Sequence, residues 1–344
     1  MIDRSAILDA GKLPADLLAS LLAGITHDDP SVLVAPAPGF DAAVIRPGND
    51  VIVKSDPITF ATSAPGEYLV AVNANDIACL GGVPRWMTVI ALFPHGQTTA
   101  GDVADLFASL LAACDRIGIA LVGGHTEITP GIDRLLLSGT VLGLPGPHGT
   151  LPPGGARAGD ELWMTQAAGI EGTSIIATEA PASDLNGIPA HLLDVARGLL
   201  DDPGISIVAS AELARKTADV TAMHDPTEGG IATAIHEIAD ASNLGFEIEL
   251  EQIPVLPVTR ALTERFDISP FGLISSGALL FAAAPGSDGD LRAAFIDAGI
   301  PLTRIGQLVA DRQHRVARTS GGQHPLPRYD SDEISRVFNR LQVS

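Results

Sequence analysis

Two cysteines in 344 residues leave little room for thiol chemistry. Cys79 and Cys114 make no CxxC pair and no zinc-ligand spacing, and each sits among apolar neighbours, the setting of a buried, unreactive thiol. Lysine is almost as scarce: Lys12, Lys54 and Lys216 are the whole set, and the formal net charge is −20. Such a chain lacks the clustered Lys and Arg that a nucleic-acid backbone demands. Acidity of this kind accompanies solubility or adaptation to salt and identifies no substrate. Aromatics are only 4% of residues, so the core must be built from Ala, Val, Leu and Ile. No apolar run approaches membrane length, and the N-terminus lacks a basic segment followed by an apolar one. The expectation is a soluble, cytoplasmic protein.

What is present is ample material for burial, 46% hydrophobic residues, in a chain longer than one core usually serves. Two domains are expected. The densest Pro/Gly stretch, Leu144–Gly159 (LPGPHGTLPPGGARAG), marks the boundary, dividing the chain into 1–150 and 151–344. In the first part, periodicity predicts helices over Pro14–Gly24, Glu67–Leu80 and Asp102–Ile117. The last carries a stripe of Val103, Leu106, Phe107, Leu110, Leu111, Cys114 and Ile117. Short strands are expected at Ala42–Ile45, Val51–Lys54 and, buried, Ile119–Val122. In the second part, strands are expected at Glu161–Thr165, Phe246–Leu250, Ala278–Ala284 and Ile305–Val309. Helices are expected at Gly229–Ser242, Leu291–Ala298 and from Ser331. Strands and helices mix in both halves, so the class is α/β or α+β.

The segment Tyr68–Pro84 (YLVAVNANDIACLGGVP) is the most informative. Asn73 and Asp76 fall on the apolar face defined by Leu69, Val72, Ile77 and Leu80. A carboxylate buried there needs a cation, a donor network or a cleft, unless it merely caps a backbone turn; spacing alone favours neither. Asp41 follows a Pro-Gly turn and Asp56 ends the run VIVK. Carboxylates at strand ends and on one helix face can converge, and with phosphate oxygens and water they suit Mg²⁺. Yet an Asp before a turn is usually a turn former. Two glycine-rich segments, Gly123–Glu127 (GGHTE) and His224–Gly230 (HDPTEGG), read as turns after apolar strands. A helix follows the second directly, so its N–H groups can receive phosphate. Neither is a Walker A loop. His125 and His224 suit acid–base work or only their own turns, and Lys54 points to solvent or toward a phosphate.

In this order the segments resemble the superfamily of aminoimidazole ribonucleotide synthetase, selenophosphate synthetase, thiamine-monophosphate kinase and the hydrogenase-maturation factor HypE. The matching pieces are GKLP (11–14), GFDAAVI (39–45), KSDPITF (54–60), VNANDIACLGGVPRW (72–86), VGGHTEITPG (122–131), HDPTEGGIATAIHEIADAS (224–242) and FGLISSGALLFA (271–282). The resemblance implies a two-domain PurM-like fold. Its N-terminal sheet pairs with its copy in a homodimeric barrel, and ATP binds between the domains and along the dimer seam. It implies Mg²⁺ and phosphate at Asp41, Asp56 and Asp76, with Glu127 as a further metal ligand. Nucleotide contacts fall to Lys54, Asn75, Gly123, Gly124, Thr126, Thr227, Gly229 and Gly230, and chemistry to Asp225, Glu228 and His125. The implied activity is phosphorylation of an oxygen on a small substrate, with no nucleic-acid or membrane partner. A thiamine-monophosphate-kinase-like enzyme and a non-catalytic nucleotide-binding regulator are the alternatives.

Departures mark the subfamily. His125 stands where the kinase and HypE carry Asp. Glu228 replaces the Arg of HypE or the metal-binding Asp of the kinase. The sequence ends LQVS rather than in the Pro-Arg-Ile-Cys that carries the HypE carbamoyl group, and no Cys precedes a Lys near the start as in selenophosphate synthetase.

Overall fold

The computed structural model describes residues 32–34, 43–46, 50–58 and 64–343. The expected helix at Pro14–Gly24, the GKLP segment and Asp41 lie outside them.

Residues 32–145 build a six-stranded sheet of order β1-β2-β3-β6-β4-β5. The strands are β1 (Val32–Val34), β2 (Ala43–Ile45), β3 (Val51–Ile58), β4 (Gly82–Pro94), β5 (Ala120–Thr129) and β6 (Leu136–Pro145). Only β4 and β5 run parallel, joined by α2 (Ala100–Ile117) as the crossover such a pair requires. Helices α1 (Pro65–Cys79) and α2 pack over one face, around a core that includes Ile52, Leu69, Ile77, Met87, Leu110 and Val141.

Helix α2 begins in a capping box, Thr99 and Asp102 each satisfying the other's backbone N–H, and stops at Gly118 with φ 82°. Its predicted stripe is only partly used. Leu106, Leu110 and Cys114 are buried, while Phe107 and Leu111 are turned about 100° away and exposed.

Residues 161–325 build a seven-stranded sheet of order β13-β12-β9-β11-β7-β10-β8, antiparallel except for β9/β12. Its strands are β7 (Glu161–Thr165), β8 (Val220–His224), β9 (Gly245–Glu249), β10 (Leu280–Ala283), β11 (Leu302–Val309), β12 (Arg315–Thr319) and β13 (Gly322–Pro325). Around it lie α3 (Ile170–Glu179), α4 (Ala190–Gly198), α5 (Val208–Thr217), α6 (Gly230–Ala241), α7 (Pro257–Phe266), α8 (Asp288–Asp297) and α9 (Glu333–Val343). The mixed two-sheet architecture is the α/β class expected. Among the described residues no helix is long and apolar enough to cross a membrane.

Helix α1 joins the two halves. The Asn75 amide, fully buried, donates to the Ile205 carbonyl and accepts from the Ile207 N–H, both at 2.9 Å. Tyr68 and Ala71 on the same helix pack into a cluster with Ile176, Leu262 and Ile334 of the second half.

One sequence expectation fails here. The segment 119–122 is not a short buried strand but the start of a ten-residue edge strand, largely exposed, and Gly123–Glu127 continue that strand instead of turning. Gly124 permits it: a Cβ there would stand 1.9 Å from the Val89 carbonyl oxygen of β4, so only glycine lets the two backbones pair this closely.

Candidate active site at the seam between the two sheets

Lys54 and Asp56 lie two apart on β3 and therefore share a face, the face that α1 covers. There Asp76, its side chain 4% exposed, meets the Lys54 ammonium at 2.7 Å, and Asp56 meets it at 3.1 Å. Asn73, one turn before Asp76 on α1, locks the geometry. Its Oδ1 accepts from the Asp56 N–H at 2.9 Å, and its Nδ2 donates to the Leu69 carbonyl at 2.9 Å. The buried Asp76 has thus found a cation, and two carboxylates converge on one positive centre.

That convergence tests the fit of Mg²⁺. The donors are hard carboxylate oxygens, and they already aim at a single cationic point. Among the described residues no three acidic, His or Cys side chains form a complete metal cage. Magnesium seldom uses one: it takes one or two carboxylates and completes its octahedron with phosphate oxygens and water. Asp56 and Asp76 have the donor chemistry that such an ion takes.

The register places the β5 residues elsewhere. Asp56 pairs with Gly139, Gly139 with Val89, and Val89 with Gly124, so Asp56 and Gly124 are three strand spacings apart, about 14 Å. Gly124 and Thr126 share the α1 face with Asp56. Gly123, His125 and Glu127 fall on the opposite, open face, where His125 Nε2 meets Glu127 Oε2 at 3.2 Å. The chain does not bring His125 or Glu127 to the Lys54 cluster, because the pleat sends alternate side chains to opposite faces. Asn75, expected to contact nucleotide, instead uses both ends of its amide on the backbone at 205 and 207.

One turn beyond Asp76, Cys79 Sγ lies 3.9 Å from Asp225 Oδ1, which brings the HDPTEGG turn of the second half against α1. Asp225 is 1% exposed. Next to it His224 is held by Glu237 of α6, with 2.8 Å between Nε2 and Oε2. The turn closes with Gly229 at φ 82° and Gly230 at φ 61°. A Cβ on Gly230 would stand 2.6 Å from the carbonyl oxygens of Phe271 and Leu273.

The expectation that this helix start offers its N–H groups to phosphate is altered at one position: the Gly229 N–H donates to Asp332 Oδ2 at 2.8 Å. Asp332 and Glu171 were invisible to sequence reasoning. Glu171 is buried in α3, and burial first, then the charges of Glu228 and Asp332, push its carboxyl up to about 8. Burial likewise raises Asp332 to about 7, backbone N–H groups pulling it down and Glu228 adding to the rise. The only trace in sequence is an acid inside the small-residue run AAGIEG.

Comparison with known proteins fits this geometry. The family model for the N-terminal domain of AIR synthase related proteins matches residues 39–144, and that for their C-terminal domain matches 157–318. The chain belongs to the AIR synthase related family. It is 27% identical over 327 residues to a carbamoyl dehydratase HypE of Cupriavidus necator, covering 87% of this chain and 88% of the relative. It is 29% identical over 336 residues to a selenide, water dikinase of Bordetella bronchiseptica, covering 89% and 94%. The crystal structure of the hydrogenase maturation protein HypE in complex with ATP superposes with a TM-score of 0.71 at 21% identity, over 89% of this chain and 92% of that one. The fold is thus PurM-like, shared with HypE.

Proposed function

We propose that this protein is an ATP- and Mg²⁺-dependent enzyme that phosphorylates an oxygen of a small substrate. The observation that carries the reading is the convergence of Asp56 and Asp76 on the Lys54 ammonium, one helical turn from the point where Asp225 of the other half meets α1. A site of that make-up works by positioning and charge neutralisation, as phosphoryl transfer requires. Asp56 and Asp76 would hold Mg²⁺, which neutralises charge on the phosphates. Lys54 would turn from the carboxylates to a phosphate oxygen. Asp225 would accept the proton of the attacking hydroxyl. The ATP complex of a structural neighbour and the dikinase name of a relative support the nucleotide assignment.

Asp76→Asn keeps the volume and removes the charge. Calorimetry with ATP and Mg²⁺ is expected to show an affinity loss of more than tenfold, about 1.4 kcal/mol, with little change in ATP binding measured in EDTA. Unchanged affinity in the presence of Mg²⁺ would sink the assignment.

A further inference from the structure

We propose that His224 and Glu237 form a proton relay that drains Asp225 into a small cavity behind the site; this rests on the phosphoryl-transfer reading above. The three groups stand in line. Glu237 Oε2 is 2.8 Å from His224 Nε2, and His224 Nδ1 is 4.0 Å from Asp225 Oδ1. An ionised Glu237 can only accept a hydrogen bond, so Nε2 carries a proton and Nδ1 faces Asp225. The imidazole faces Glu237 from α6 on one side and Asp225 from its own turn on the other. Cys79 of α1 meets the same Asp225 oxygen that His224 does.

Burial makes the line directional. The side chains of Asp225 and His224 are 1% and 6% exposed, and that of Glu237 is 15%. His224 and Glu237 line a cavity of about 40 Å³ walled by Leu80, Leu151, Pro152 and Ile238, with Cys79 also on its lining. That is room for a few waters. A proton accepted by a carboxylate this deeply buried needs a path that does not return through the reacting centre, and the imidazole and Glu237 supply one.

The acceptor oxygen attacks the γ-phosphorus, its O–P bond forms and the bond to ADP breaks, ADP leaving with the electron pair. The hydroxyl proton goes to Asp225. Asp225 passes it to His224 Nδ1, the Nε2 proton moves to Glu237, and Glu237 releases it to cavity water. The 4.0 Å gap closes by a small rotation of Asp225, or is bridged by one water. Exchange with cavity water, a proton gained at Nε2 and one lost from Nδ1, restores the starting tautomer.

The experiment compares ATP turnover against pH for the unaltered protein, Glu237→Gln, His224→Ala and His224→Ala with added imidazole, alongside ATP affinity and melting temperature. The expected result is a kcat loss of about a hundredfold, in the range of general acid–base catalysis. ATP affinity stays unchanged, the limb of the pH profile moves in Glu237→Gln, and imidazole restores His224→Ala at least severalfold. Imidazole is expected to do nothing for Asp225→Asn. Unchanged kcat in His224→Ala overturns the relay. So does a loss that follows a lowered melting temperature and that neither imidazole nor His224→Gln alters. Absence of ATP turnover in the unaltered protein overturns the phosphoryl-transfer reading itself, and the relay with it.

Discussion

At the scale of single residues, the buried acids beside the glycine turn have the clearest consequence. Both Glu171 and Asp332 have folded-state pKa values raised above ordinary carboxylates, to about 8 and about 7. A group raised in this way contributes stability that is fully present below its unfolded pKa, near 4, and lost as pH climbs through the folded value. The melting temperature is therefore expected to fall between about pH 4 and pH 8, and Glu171→Gln, neutral throughout, should flatten that decline. Calorimetric scans at fixed ionic strength test it; a parallel decline in the variant would reject Glu171 as the source. These acids also show where reading the sequence stops. Asp76 was legible because an acid on an apolar helix face is an anomaly of spacing. Glu171 sits among small residues with no stripe to violate, and Asp332 acquires its role from a partner 103 positions away.

At the scale of elements, α1 ties the first sheet to the second half of the chain. Its length, its buried Asn73 and Asp76, and its approximate ends were readable from 3.6-residue periodicity. That Asn75 would reach across to residues 205 and 207 was not, because no local pattern encodes a contact between distant segments. Asn75→Ala leaves the Ile207 N–H and the Ile205 carbonyl without their partners in a buried seam, which costs about 1–3 kcal/mol per stranded group. A melting temperature lowered by several degrees, with ATP affinity of the folded protein changed less than threefold, is the expected outcome in a thermal-shift and calorimetry pair. A selective loss of ATP binding at full stability would return Asn75 to the nucleotide. Strand β5 is the converse case. Its glycines imitate a turn, and only pairing with β4 reveals that Gly124 serves close backbone approach.

At the scale of the whole molecule, the sequence yielded the two-part α/β organisation, but not which face of the first sheet stays open. Trp86, Ile90 and Leu136 are 38%, 50% and 40% exposed, and the pairing of Ile90 with His125 and of Leu92 with both Leu136 and Glu127 puts them on the face that α1 and α2 leave bare. An edge strand and an apolar face are surfaces that a symmetric copy covers. The homodimer we propose through this face should run as a dimer in light scattering at micromolar concentration. Ile90→Asp, which spares the buried side of β4, should convert it to a folded monomer. A monomeric unaltered protein would reject the interface.

The bond from Gly229 to Asp332 also sets an order of events during synthesis. The glycine turn is translated 103 residues before the carboxylate that receives its N–H. At roughly 5–20 residues per second, the nascent chain carries that turn uncapped for about 5–20 s. The glycine turn is therefore among the last parts of the molecule to mature, and a chain stalled before residue 332 would leave the Gly229 N–H without its carboxylate.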